Sequence, residues 1–407
     1  MHVLPALYFF LILLVPAVSE AGALVLALVG AWHLLPRQRA RALAAGVPAW
    51  SRTDTTVALA FMAIFLFKLV SMLWAEQPRL ALSNALWHLH FLFWPLVFWG
   101  IQACRPPQRE VEQGVAAGLV VTAAWFIGFA LTRTWDMAHP FEAGTQSTGL
   151  LGQLTLALGT WNFLVLTRPQ AQLSGQPRWP HGLAWICTFI VLYGSNRRIE
   201  LASFLVVVVL VTLFRVRRHL NVLRTLGLLL AAAALIAGVA YVRKDRFLQA
   251  FQEVYAYFAE REHNPAAVLT SLGARLEMYR VAFLSIMDHP WLGISAGARP
   301  YLLHQYGVPS QDVFGHRHFH SEFIQALVEG GVVWFTLLGA AVVHAVRKLV
   351  IEPFRAAPEA ALMAAGLLLA YVLEGLFSAA LTYGPANGLF VVASAWAWQQ
   401  VRPAHRH

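Results

Sequence analysis

Between Phe314 and Trp334 the chain reads FGHRHFHSEFIQALVEGGVVW, which places His316, His318 and His320 within five residues at the head of an apolar stretch. Imidazole is a metal ligand. It is also the side chain whose ordinary pKa lies closest to physiological pH, so it can take a proton from a hydroxyl group and later release it. Three readings stand for this cluster. An alternating H-x-H-x-H in an extended segment could turn three ligands to one side, although no cysteine or carboxylate at ligand spacing completes such a site. The histidines could equally be polar groups of a membrane boundary with no chemistry. The third reading makes one of them a general base. His320 is the best placed for that, because it opens the apolar segment and is followed by Ser321 and Glu322, residue types that favour a helix N-terminus.

A second group of residues has the chemistry of anion binding. Arg197 and Arg198 stand in LYGSNRRIELASF, and Arg275 and Arg280 in SLGARLEMYRVAFLSIMDHPWLGISAG, with Arg299 and Arg317 beyond. Guanidinium groups bind phosphate in a bidentate way and keep their charge at any physiological pH. Each has a plainer alternative: Arg197 and Arg198 pairing with Glu200, Arg275 pairing with Glu277, or a head group reaching to the interface. Lys68 in FLFKLVSMLW and Glu374 in YVLEGLFSAA are ionisable residues inside apolar runs. Either lines the same cavity as the arginines, or Lys68 snorkels to the boundary. In HPWLGISAG, Pro290 stops a helix, and Gly293 and Gly297 free the backbone for a tight turn.

These residues need elements to hold them, and composition says what kind. Of 407 residues, 58% are hydrophobic and only 12% charged, about half the charged fraction of a soluble domain. The chain reads as an all-α polytopic membrane protein. Twelve apolar runs are candidate spans: 5–19, 21–35, 54–74, 85–104, 112–132, 148–167, 181–195, 199–214, 224–242, 320–346, 357–379 and 386–401. The N-terminus lacks a cationic start and a clear cleavage site, so Pro5 to Ser19 reads as a retained span. Alternate loops carry Arg37, Arg39 and Arg41; Arg105 and Arg109; Arg168 and Arg178; Arg215, Arg217, Arg218 and Arg224; Arg347, Lys348 and Arg355; and Arg402 and Arg406. By the positive-inside rule these loops and both termini are cytoplasmic. The net charge of +10 then belongs to such loops, and no basic run interleaved with aromatics suggests nucleic acid. Cys104 and Cys187 lie in or beside apolar runs and support neither a disulfide framework nor a cysteine metal site.

The chain thus divides into spans over 1–242, a long segment over 243–319 on the face opposite the basic loops, and closing spans over 320–407. The long segment is expected to form helices over Arg246–Arg261 and Ala274–Met287, lying as an amphipathic lid on the membrane boundary.

The ordered set SNRR before a span, R-x-x-x-Y followed by HPWLGISAG in a long loop, and HSEFIQALVEGG opening the next span resembles the O-antigen ligase and O-antigen polymerase superfamily of bacterial inner membranes. The resemblance covers roughly residues 190–335. The family pattern of His, then Asn, Ser or Gln, then E-x-G-x-x-small is met by His320, Ser321, Glu329 and Gly331, and departs at Trp334. The neighbouring His318 is an alternative register. What the resemblance implies is a glycosyltransferase of the membrane C-type fold that takes a glycan from undecaprenyl diphosphate on the periplasmic side. A ligase passes it to a sugar hydroxyl of lipid A-core, a polymerase to another repeat unit, and a third relative to protein. By matched position His320 would be the base, Arg197 and Arg275 would bind the diphosphate with Arg198 nearby, and no metal or cofactor is required. Supporting candidates are His318, Tyr279, Arg280, Arg299, Lys68 and Glu374. A transporter using the arginines and histidines along a pathway is the reading outside enzymes. No internal repeat favours it, and the ionisable residues gather at one face.

Overall fold

In the computed structural model the described residues are 2–15, 17–132, 148–169, 177–195, 198–216, 244–297, 302, 305–306, 319–378, 381 and 384–402. All of their regular structure is helical. The helices are α1 Val3–Leu11, α2 Ala17–Leu34, α3 Pro36–Ala44, α4 Arg52–Val70 with a 3₁₀ extension Ser71–Trp74, α5 Pro78–Trp87, α6 Leu89–Leu92, α7 Trp94–Cys104, α8 Gln108–Thr132, α9 Thr148–Leu166, α10 Trp179–Gly194, α11 Arg198–Val216, α12 Lys244–Glu260, α13 Pro265–Leu269, α14 Ser271–Asp288, α15 Glu322–Val346, α16 Pro358–Phe377 and α17 Gly384–Val401. Six stretches among the described residues are long and apolar enough to cross a membrane: Ala17–Leu34, Arg52–Trp74, Gln108–Gly128, Gly149–Leu166, Glu322–Arg355 and Pro358–Phe377. The chain is a polytopic membrane protein.

Three expected spans differ from the structure. The run 5–19 is helical only over Val3–Leu11, about 14 Å at 1.5 Å per residue, and Ala17 starts a new helix after Pro16 disfavours helical backbone at the residue before it. The run 85–104 is not one helix. It breaks at His88 and again at Phe93, where Pro95 follows in the first turn of α7 and cannot extend the preceding helix. The run 320–346 breaks internally at Gly331. The run 224–242 lies outside the described residues. The two expected helices of the long segment appear as α12, shifted by one or two residues, and α14, four residues longer than expected.

Buried ion pairs fix one end of the bundle. Ser51 and Asp54 form a capping box at the start of α4, and Asp54 also accepts from Arg402 at the end of α17 and from Trp398 Nε1 at 2.8 Å. Arg168 donates to Glu112 at 2.8 Å, and Arg215 pairs with Glu359, which joins the end of α9 to the ends of α8, α11 and α16. Arg105 donates to the carbonyl of Ala45. The basic connections that the loop pattern assigns to one side therefore meet at one end of the bundle. From Asp54, α4 runs fourteen residues to Lys68, about 21 Å away, and at that opposite end the motif residues gather. α17 runs through the centre of the bundle. Thirteen of its residues are buried, including Trp396 and Trp398, as befits a helix that is apolar all round.

Candidate functional site

The site is built around a discontinuous helix. At Gly331 the backbone of α15 takes φ 60° and ψ −162°, a region that only glycine enters without strain. The break removes the two hydrogen bonds that Val332 and Val333 would donate to Val328 and Glu329 in a continuous helix. All four freed groups find partners in the HPWLGISAG turn. The carbonyls of Val328 and Glu329 accept from the N–H groups of Ile294 at 3.0 Å and Ser295 at 2.9 Å, while Val332 and Val333 donate to the carbonyls of Pro290 at 2.8 Å and Trp291 at 3.2 Å. Each such group left unpaired in hydrocarbon costs several kcal/mol, so the turn and the broken helix require one another. Contact is close enough to dictate glycine on both sides. A Cβ on Gly293 would lie 2.4 Å from the Val328 oxygen, and one on Gly331 would lie 2.3 Å from the Trp291 oxygen.

The first half of α15 bridges the ends of two other helices. At its start the N–H of Glu322 donates to the Ser378 carbonyl after α16 at 3.2 Å, and two residues before the break Glu329 pairs with Lys68 of α4. Lys68 is 4% exposed and Glu329 2%, which overturns snorkelling as the account of Lys68. Gln325, one turn earlier, donates to the same carboxylate, and the N–H of Gly297 approaches it at 3.4 Å. Trp334, the departure from the family's small position, stacks on Phe67 of α4 with centroids 4.0 Å apart and planes at 4°. It locks the second half of α15 to α4.

His320 precedes the helix rather than beginning it. Its φ is 53°, left-handed backbone that a non-glycine residue adopts at a cost of about 1–2 kcal/mol. Its neighbours hold it there. Phe319 is fully buried and its N–H donates to Gln325 Oε1 at 3.0 Å. Ser321 is the N-cap of α15 and its hydroxyl donates to the Gly375 carbonyl at 3.4 Å. The His320 carbonyl accepts from the Tyr279 hydroxyl of α14 at 3.3 Å. The imidazole itself is on a partly exposed residue.

Tyr279 fixes which face of α14 meets His320. Arg275 is four residues earlier, hence on the same face of the helix. Burial pushes the Tyr279 phenol up, and the nearby Arg275 charge draws it back. Arg280 points elsewhere. With Arg261 and Tyr257 it converges on Glu277, at 2.6–3.0 Å from Arg280, 2.7 and 3.1 Å from Arg261, and 2.7 Å from the Tyr257 hydroxyl. Burial works against ionising Glu277, but these three donors outweigh it and hold the carboxyl down at about 2, from an ordinary 4.5. Tyr257 and Arg261 thus tie α12 and its end to Glu277 of α14, and Arg280 braces the same carboxylate from within α14. The stability this gives is present above pH 4.5 and is lost as pH falls through the depressed value. Pepsin cleavage of residues 244–288 is therefore expected to accelerate between about pH 4 and pH 2.5, more than for an unrelated pepsin substrate. In a Glu277→Gln protein cleavage should be fast at both pH values, and a wild-type protein showing no such acceleration would sink the assignment.

Glu374 is engaged on the other side of α15. Gln153 of α9 donates to it at 3.1 Å and to the Ser378 hydroxyl at 3.3 Å. Lys68 and Glu374 thus have separate partners. Arg197, Arg299, Arg317, His316 and His318 lie outside the described residues, and of Arg198 only the backbone at the start of α11 is described. The structure brings together His320, Tyr279 and Arg275 at one surface, with the Lys68–Glu329 pair beneath. Sequence reading did not single out Gln325. Its signal was its place in the turn between His320 and Glu329, where it can bond both ways.

Comparison with protein families matches residues 183–339 to the family described as O-Antigen ligase. No curated protein matches the chain. The matched stretch runs from α10 through α14, the HPWLGISAG turn and His320 to beyond the break in α15, and leaves out α4 with Lys68 and α16 with Glu374. Over residues 183–339 the chain is therefore similar to the O-antigen ligase family.

Proposed function

We propose that the protein is an O-antigen ligase that transfers a glycan from undecaprenyl diphosphate to a sugar hydroxyl of lipid A-core. The observation that carries the reading is the meeting of His320 with the Arg275–Tyr279 face of α14 at the end of the bundle away from the basic loops. In this mechanism the His320 imidazole takes the proton of the acceptor hydroxyl as its oxygen attacks the anomeric carbon. The bond from that carbon to the diphosphate oxygen breaks, and its electron pair leaves with the diphosphate. Attack opposite the leaving group inverts the anomeric centre. Arg275, with Arg197 and Arg198, stabilises the charge that grows on the diphosphate, the part a divalent ion plays for nucleotide sugars. Residues 243–319 act as a lid that keeps water from the activated donor.

The positive-inside rule supports the topology. With Arg105, Arg168, Arg215 and Arg402 at the cytoplasmic end, the site faces the periplasm of the inner membrane and both termini are cytoplasmic. Twelve spans on a C-type glycosyltransferase plan fit that parity.

The test is complementation. A bacterium that makes lipid-linked O-antigen and a matching core but lacks its own ligase is expected to regain its lipopolysaccharide ladder on expressing this chain. Long glycan accumulating on undecaprenyl diphosphate, with none on the core, would instead identify a polymerase. Glycan appearing on protein would identify a protein oligosaccharyltransferase, and transport without transfer would overturn the enzyme reading.

A further inference from the structure

The buried polar chain beneath His320 has no place in the chemistry just described. Lys68, Gln325 and Glu329 are each at most 4% exposed. Their contacts are ordered: Lys68 and Gln325 both donate to Glu329, the Gly297 N–H reaches the same carboxylate at 3.4 Å, and Gln325 accepts from the N–H of Phe319 at 3.0 Å. One carboxylate thus joins α4, the turn that fills the break in α15, and, through one amide, the residue next to His320. An ion pair serving only to fasten α4 to α15 would not need the amide relay. A lysine reserved for a phosphate would not be buried against a glutamate.

We propose that Glu329, held in place by Lys68, is a positioning residue that sets His320 through Gln325, so that the base is in register only while the 290–297 turn sits in the broken helix. The inference rests on the reading of His320 as the base. It assigns Lys68 to this relay and not to the donor diphosphate. Phe319 and His320 leave the helix just before its cap, where local hydrogen bonding is sparse. The amide–backbone bond therefore restrains the backbone that carries the imidazole. A base misplaced by about 1 Å loses on the order of a hundredfold in rate, while donor binding by the arginines is untouched.

The experiment uses the full-length protein in nanodiscs, with undecaprenyl-diphosphate-linked oligosaccharide and lipid A-core, and follows release of undecaprenyl diphosphate. Gln325→Leu keeps the Lys68–Glu329 pair and is expected to lower kcat about 10- to 100-fold, with KM for the donor within about twofold of wild type. The exchange Gln325→Glu with Glu329→Gln reverses the direction of the side-chain bond. It still offers an acceptor to the Phe319 N–H and another to Lys68, so it is expected to recover kcat to within about fivefold of wild type. If Gln325→Leu leaves kcat unchanged, or raises KM as its main effect, or if the exchange is no better than Gln325→Leu, the positioning role is wrong. His320→Ala run alongside separates the two levels. A fully active His320→Ala protein overturns the base assignment and this inference with it, whereas an inactive one beside a normal Gln325→Leu protein overturns this inference alone.

Discussion

Glycan transfer by a His320→Ala protein is expected to fall about 10²- to 10⁴-fold below wild type, the range that removal of a general base spans. The ladder should vanish from a complemented strain, and release of undecaprenyl diphosphate by purified protein should fall by the same factor. The fold is expected to survive. Alanine and histidine face similar costs at φ 53°, the bonds made by the backbone of residues 319–322 and by the Ser321 hydroxyl remain in the variant, and the imidazole sits on a partly exposed residue. Unfolding midpoint and membrane level should therefore match wild type. KM for the donor should change little, because in the proposed mechanism the arginines and not the base hold the diphosphate. His318→Ala is the register control. A dead His318→Ala beside an active His320→Ala would move the base two residues upstream while leaving the ligase reading intact. Activity retained by both single variants would remove histidine from the mechanism.

Much of this arrangement was legible in the sequence, and the reason it stopped where it did is physical. Apolar runs bounded by arginine located most of the helices, because a bilayer imposes length and hydrophobicity on any segment that crosses it. The spacing of His320, Glu329 and Gly331 carried the family resemblance, and α12 and α14 came from their periodicity. What hydropathy could not reveal was discontinuity. Residues 85–104 and 320–346 read as uninterrupted apolar spans, yet the first is broken before Pro95 and the second at Gly331. Breaking a helix in a membrane is tolerable only when other backbone satisfies the freed groups, and that partner is a tertiary fact. HPWLGISAG read as a turn in its own right, but its carbonyls and N–H groups are bonded to α15, some forty residues further along the chain. The partner of Lys68 was hidden for the same reason. Lysine near the end of a span usually snorkels, and only the approach of α15 puts Glu329 beside it.

Gly331→Ala is expected to be as inactive as His320→Ala, and for a different cause. The added Cβ would stand 2.3 Å from the Trp291 carbonyl oxygen, on a backbone at φ 60° and ψ −162° that alanine does not adopt without strain. Two outcomes are open to the chain. If it keeps the break, it carries about 1–3 kcal/mol of backbone strain plus the steric conflict with the turn. If α15 straightens, Val332 and Val333 regain partners inside the helix. The N–H groups of Ile294 and Ser295 and the carbonyls of Pro290 and Trp291 then lose theirs, at about 1–3 kcal/mol for each group that stays buried. Either way the interlock loosens by at least about 1–3 kcal/mol, and where α15 straightens its first half changes direction and Glu329 leaves Lys68. Unlike His320→Ala, this protein should show a lowered unfolding midpoint and faster proteolysis within residues 289–297. Gly339→Ala supplies the control within the same helix, because a Cβ there meets nothing within 4 Å. Removing a flexible glycine from a regular helical position should leave activity intact and raise stability by about 0.4–1 kcal/mol. A Gly331→Ala protein with normal melting and normal transfer would show that the break in α15 is not what holds the site together.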